Sequence, residues 1–320
     1  MKNKNAILNG VVALAITGLI FTGCKKNDSV SDISDESTEQ IINASDDARF
    51  SSSSDDILDE SNDVALSNSR FHGAQGIING VHYPCNATID SSLKDQGTLT
   101  VTFNGTNCKG TYTRTGSITL QLPYDATTSV VTPWSQAGCV LSITFHDFKI
   151  SRLKDEKSLT FNGTKYITNV NGGLVDDASE FSTSIVHHIT GMLQVTFDDG
   201  TVRTWNIDRN RSFARANNET TVTITGNATE NGYSNVSIWG INRKGNNFTV
   251  TINTPVVLSS ACDYNAMSGV RMHHKVIREL TITYGVDASG NPATGSGCPY
   301  GYKLNWTDKK GGSHQVVLAY

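Results

Sequence analysis

From residue 71 onward the chain alternates threonine and other polar residues with Val, Ile, Leu and aromatics, and that period of two constrains the fold more than any other feature. Successive side chains on a strand point to opposite faces, so a half-buried strand needs this pattern. The clearest stretches are Leu99-Thr100-Val101-Thr102-Phe103, Ser117 to Leu122 and Val140 to Phe145. Met192 to Phe197 runs into Asp198-Asp199-Gly200 and then Thr201 to Ile207, apolar alternation on both sides of an Asp-Gly turn, which predicts a hairpin. Thr220 to Thr225, Val236 to Trp239, Phe248 to Ile252, Leu280 to Tyr284 and Gln315 to Leu318 predict further strands. With 28 glycines against 6 prolines, the turns are made with Gly, Asn and Asp. No stretch here offers a capped helix of four turns. The expected class is all-β with antiparallel sheets, as a sandwich or an extended twisted sheet; the pattern does not separate these from a barrel.

The cysteines follow a weak internal repeat. Cys85, the strand 99–103, Cys108 and Tyr112 are echoed by Cys262, the strand 280–284, Cys298 and Tyr302. Spacing alone does not choose a pairing among the five cysteines beyond residue 71. The repeat favours Cys85–Cys108 and Cys262–Cys298, leaves Cys139 as a small buried hydrophobe, and divides 71–320 into two similar halves. No C-x-x-C pair or matching histidine spacing points to a metal.

Charge marks a boundary before the β region. Residues 27–70 hold twelve acidic residues against Arg49 and Arg70, whereas residues 71–320 hold 18 acidic and 20 basic ones. The first stretch therefore reads as a solvated, disordered acidic tether, 24–70. Phe50, Ile57 and Val64 recur every seven residues, so a local helix is the competing reading, and so polar a helix needs a partner surface. The near-neutral remainder argues against a nucleic-acid partner.

Ahead of the tether, Lys2 and Lys4 precede the apolar run Ile7 to Phe21, a signal-peptide length rather than a membrane span. It ends in Phe21-Thr22-Gly23-Cys24, which resembles the lipobox of bacterial lipoproteins, with Phe21 in place of the usual Leu. The resemblance implies removal of 1–23 and acylation of Cys24. Two or more acyl chains anchor stably without spanning the membrane.

Catalytic motifs are scarce. His187-His188 and His273-His274 are neighbours on strands, so neither pair can chelate one metal, and the expected arrangement is one ring packed and one solvated. Asp198-Asp199 reads as a hairpin tip and Asp287 to Asn291 as a turn. No nucleophile elbow, phosphate loop or zinc-hydrolase signature is present. A glycosidase needs only two placed carboxylates, which no motif announces. For binding, Arg209, Arg211 and Arg215 could hold an anion, with Arg203 just before Trp205; the plainer reading is a solvated basic loop. Trp134 and Trp205 could stack sugar rings, although aromatics in β proteins are more often core, and Trp239 is expected inside.

Taken together, Gly23-Cys24-Lys25-Lys26, the Asp46-Asp47-Ala48-Arg49-Phe50 segment, the Thr-rich strands and the stretch 99–108 before Arg114-Thr115-Gly116 resemble a broad group of Bacteroidota outer-membrane lipoproteins of uncharacterised activity. That likeness implies a location at the outer membrane, on the cell surface, and Asp28-Ser29-Val30 looks like the O-glycosylation site such bacteria use. The expectation is a lipid-anchored, non-catalytic β protein that binds or scaffolds at that membrane, with a glycan or an envelope protein as partner and no cofactor. The alternatives are a polysaccharide hydrolase and a structural envelope protein without a small ligand.

Overall fold

The computed structural model describes residues 84–175, 185–274, 279–295, 297–307 and 310–320, together with Asp46, Ile57, Ser61 and Val64. The signal-peptide and Cys24 expectations lie outside the described residues.

The described β region is strand and turn, with two single-turn 3-10 helices at Lys94–Gln96 and Ser260–Cys262. In chain order the strands are β1 (Ala87–Asp90), β2 (Thr98–Thr106), β3 (Tyr112–Gln121), β4 (Tyr124–Asp125), β5 (Val130–Val131), β6 (Cys139–Arg152), β7 (Ser158–Asn169), β8 (Ile185–Phe197), β9 (Val202–Ala216), β10 (Glu219–Gly226), β11 (Ala228–Glu230), β12 (Tyr233–Ile241), β13 (Asn247–Ser259), β14 (Ala266–His274), β15 (Leu280–Val286), β16 (Gly301–Thr307) and β17 (Ser313–Ala319). All but β4 and β5 belong to one antiparallel sheet, ordered β1-β2-β3-β6-β7-β8-β9-β10-β13-β14-β15-β16-β17. This is an extended sheet, and the two copies of the repeat sit towards its opposite ends. The one departure from a plain meander lies between β9 and β13. There β10 fills one end of the gap and β12 the other, because β12 pairs with both long strands. The chain between them passes through β11, which pairs only with β12.

One face of this sheet is buried. On β6, Leu141, Ile143 and Phe145 point inward; a bulge at His146 and Asp147 then shifts the parity so that Phe148 and Ile150 point inward too. Across the bulge stands Gly116, at φ +87°, where a Cβ would lie 2.3 Å from the Asp147 carbonyl oxygen. Gly285 on β15 makes a similar approach, 2.0 Å from the Met267 carbonyl oxygen. Such glycine and bulge positions let a wide sheet roll. Rolling is visible at both ends. The Phe103 and Phe148 rings are 4.9 Å apart with β3 between their strands, and Tyr320 Oη, beyond β17, donates to the Ala266 carbonyl on β14.

The inner face carries one large core cluster, from Leu99, Val101 and Phe103 on β2 through to Phe248 and Val250 on β13, and two smaller ones towards β17. Ile57 and Val64 belong to the large cluster, at 2% and 1% exposure, and both lie in helical backbone, as Ser61 does. Ile57, Ser61 and Val64 fall on one stripe of a helix. Ile57, Ser61 and Val64 are therefore helical and packed on the sheet, and the partner surface that so polar a stretch needs is the inner face.

Both expected disulfides are formed, Cys85–Cys108 and Cys262–Cys298. Cys139 is a buried thiol, and burial pushes it up to about 11, so it stays protonated.

Candidate functional site

The predicted hairpin strand does not stop at Ile207. It runs on to Ala216, and residues 203, 205, 207, 209, 211 and 213 keep one parity throughout. Arg209 and Arg211 therefore face inward at 2% and 7% exposure, where a solvated loop was expected, and Arg215 at the strand's end is half-buried. Trp205 is wholly buried beside them, and Trp134, in the turn before β6, is buried against His187, ring centroids 5.1 Å apart. The structure thus gathers Arg209, Arg211, Trp205 and Trp134 on one side of the sheet, the side that solvent does not reach.

More cations share this face. Cross-strand pairing sets Asn169, His187 and Arg211 in one row, Ile167, Ile189 and Arg209 in the next, and Lys165, Gly191 and Ile207 in the third. Lys165 is wholly buried, as is Arg203, whose guanidinium lies 4.2 Å from the Trp205 ring centre and 4.0 Å from that of Phe248. Arg114 on β3, also buried, covers Phe103 and donates to the Cys85 carbonyl at 3.1 Å. Neither Lys165 nor Arg114 was singled out from the sequence; their strand parity was the signal that could have found them.

His187 lies among these cations and two aromatic rings. Burial, with Arg211 nearby, pushes its imidazole down to about 3, so it is neutral in the folded protein. His188 points the other way, to Asp208 at 2.7 Å, the one-packed, one-solvated arrangement expected of the pair. The second pair differs, since His273 and His274 are both buried, His274 being stacked on Tyr233.

Asp46 is the one buried carboxylate among the described residues. It accepts from Arg243 Nε at 2.8 Å and Nη2 at 2.5 Å, and lies 3.7 Å from Arg203. Arg243 also donates to Asp199 at 3.2 Å. The Asp199 carboxyl is lowered, chiefly by hydrogen bonds from Thr201 and then by Arg243. This is the reverse of what a glycosidase acid requires.

The outer face differs in chemistry. Thr100, Thr119, Thr144 and Thr164 form a cross-strand row, and the hydroxyls of Thr144 and Thr164 lie 3.0 Å apart. Beside it, Met192 pairs with Thr164 and Asn206, and Asn206 pairs with Trp239. Tyr166 is diagonal to Met192; the two are 45% and 55% exposed, and Trp239 is half-buried rather than inside as expected. Trp239 lies outside because its neighbours Ile238 and Gly240 set the parity of β12 the other way. The result is a patch of apolar and aromatic side chains bordered by Thr164, Thr190, Thr204 and Asn206, with the His188–Asp208 pair beyond Thr190. Asp287 to Asn291 is a turn, its carboxylate accepting from the Ser289 and Asn291 amides. Among the described residues no cluster of three metal-ligating side chains occurs, and no helix is long and apolar enough to cross a membrane. Compared with protein-family models, with curated proteins and with solved structures, the chain matches none.

Proposed function

We propose that this chain is a lipid-anchored, non-catalytic β protein of the outer membrane, held through Cys24 on the cell surface, and that it binds an uncharged glycan on the outer face of its sheet. The observation that carries the binding reading is the Tyr166–Met192–Trp239 patch with its hydroxyl and amide rim. Sugar rings present apolar C–H faces edged by hydroxyls, so aromatic side chains bordered by hydroxyl and amide groups complement them. The inner face is unsuited to a free ligand, since its arginines and tryptophans are covered. The lipid anchor rests on the Gly23-Cys24 junction at the end of the apolar run.

The test has two arms. Intact mass of protein from membranes, wild type beside Cys24→Ala, together with protease shaving of whole cells, reports the anchor and the exposed side. Acyl mass lost in the variant and shaving of the wild type are expected; the absence of acyl mass overturns the anchor. A glycan array with wild type, Tyr166→Ala and Trp239→Ala reports the ligand. Each substitution is expected to weaken binding about tenfold, and a wild type that binds no glycan overturns that reading.

A further inference from the structure

Beside the aromatic patch lies a carboxylate with one oxygen to spare. The even-numbered residues of β7, β8 and β9 take the outward parity, and Asp208 is the one Asp, Glu, Lys or Arg among them. Its side chain is 22% exposed. Oδ1 accepts from His188 Nε2 at 2.7 Å and from Asn227 Nδ2 at 3.0 Å. Asn227 is itself fixed, since its backbone N–H donates to the Asp208 carbonyl at 3.2 Å and its Oδ1 accepts from Asn210 at 3.4 Å. Oδ2 accepts from no described residue. A partly buried carboxylate held through one oxygen, with the other free of protein donors, is an acceptor set for a ligand hydroxyl.

Register places this acceptor at the patch. Tyr166, Thr190 and Asp208 form one cross-strand row, next to the row of Thr164, Met192, Asn206 and Trp239. Side chains directly opposite are about 5 Å apart at Cβ, and successive rows on one face about 7 Å. The hydroxyls of Thr190 and Tyr166 also have no partner among the described residues. We propose that Asp208 is the specificity-determining residue of this face. It accepts a hydroxyl of a sugar whose ring lies on Tyr166 and Met192, the adjacent hydroxyl reaches Thr190, and the carboxylate turns away anionic sugars such as uronates. This rests on the glycan reading above and narrows it to neutral glycans with adjacent free hydroxyls. The bond to a carboxylate is roughly twice as strong as one between neutral groups, so Asp208 is the strongest acceptor on these three strands' outer face. A second carboxylate brought to the same place meets like charge and loses its water.

The test titrates the whole mature chain on two sets of immobilised oligosaccharides: neutral ones of glucose, mannose, galactose and xylose, and oligomers of galacturonic and glucuronic acid. The wild type is expected to bind at least one neutral series and no uronate. Asp208→Asn is expected to weaken neutral binding about tenfold and to admit uronates. His188 and Asn227 keep its amide oxygen in the place of Oδ1, so the NH2 group, a donor, takes the place of Oδ2. Tyr166→Ala is expected to weaken neutral binding without admitting uronates, which separates exclusion by charge from loss of the stacking surface. Asp198→Asn, the same change of charge at the exposed hairpin tip, leaves both sets unchanged. A gain of uronate binding is a readout that a misfolded variant does not give. A wild type that binds no glycan overturns the glycan reading and this assignment with it. A wild type that binds neutral glycans while Asp208→Asn gains no uronate leaves the reading standing and overturns the assignment of Asp208. Uronate binding by the wild type overturns that assignment as well.

Discussion

His187 faces Arg211 across β8 and β9 and is packed between the rings of Trp134 and Phe213. Its imidazole is held down at about 3, chiefly by burial. The unfolded chain takes up that proton near pH 6.5, so between pH 6.5 and about 3 the unfolded state binds more protons than the folded one. Stability is therefore complete above about pH 6.5 and falls as the pH drops through that window, by up to about 5 kcal/mol from this residue. His274 is lowered in the same direction by burial, against the opposing pull of Glu279. His187→Phe keeps the ring contacts and removes the proton. Urea unfolding at about pH 7 and about pH 4.5 is expected to show a smaller loss on acidification in the variant; an unchanged loss sets His187 aside as its cause. Asp46 is the second residue on which the fold leans. Asp46→Asn takes a charge away from Arg203 and Arg243 in a buried setting, with an expected cost of about 3 kcal/mol. In a double-mutant cycle with Arg243→Met the coupling is expected to exceed about 1 kcal/mol, and simple additivity refutes the pairing.

At the scale of the element, the strands that were easiest to read are those whose inward positions are all apolar, such as Leu99, Val101 and Phe103 on β2. β9 was read short because Arg209 and Arg211 occupy inward positions, and a cation in that parity looks like the end of a strand until its face is known to be lined with charge. β7 was not read at all: Gly163 and Lys165 interrupt its apolar parity between Phe161 and Ile167. The helical stripe of Ile57 and Val64 was legible as a spacing, yet the surface that stabilises it comes from strands far along the chain, which no local pattern contains. The aromatic patch was hidden for a related reason, since Tyr166, Met192 and Trp239 meet only through the register of four strands. The bulge opposite Gly116 yields an element-scale prediction. Gly116→Ala places a methyl 2.3 Å from the Asp147 carbonyl oxygen at a positive φ. It is expected to cost about 2–4 kcal/mol, whereas Gly200→Ala, at a hairpin tip with nothing within 4 Å of its Cβ, meets no such contact. Equal melting temperatures for the two variants would show that the bulge tolerates a side chain.

Across the whole molecule, one sheet is stabilised unevenly. The strands from β2 to β9 share the large cluster with Ile57 and Val64, whereas β15 to β17 rest on a separate small one formed by Leu280, Ile282, Tyr302 and Leu304. A sheet of this width held by separate clusters need not open as a unit, and the end with the least buried apolar surface opens first. Each end has its own disulfide. Cys262–Cys298 closes a loop of 36 residues, which constrains the unfolded chain by roughly 3–4 kcal/mol in the entropic account, and Tyr320 supplements it by donating back to β14. Hydrogen exchange of the wild type is therefore expected to be fastest in β15–β17 and slowest in β6–β9. Removing the bridge with Cys262→Ser/Cys298→Ser accelerates exchange in β14–β17 and leaves β2–β9 near their wild-type rates, because no residue of the small cluster belongs to the large one. If the same substitutions accelerated exchange uniformly from β2 to β17, the sheet would be a single cooperative unit, and the division into separately stabilised ends would be wrong.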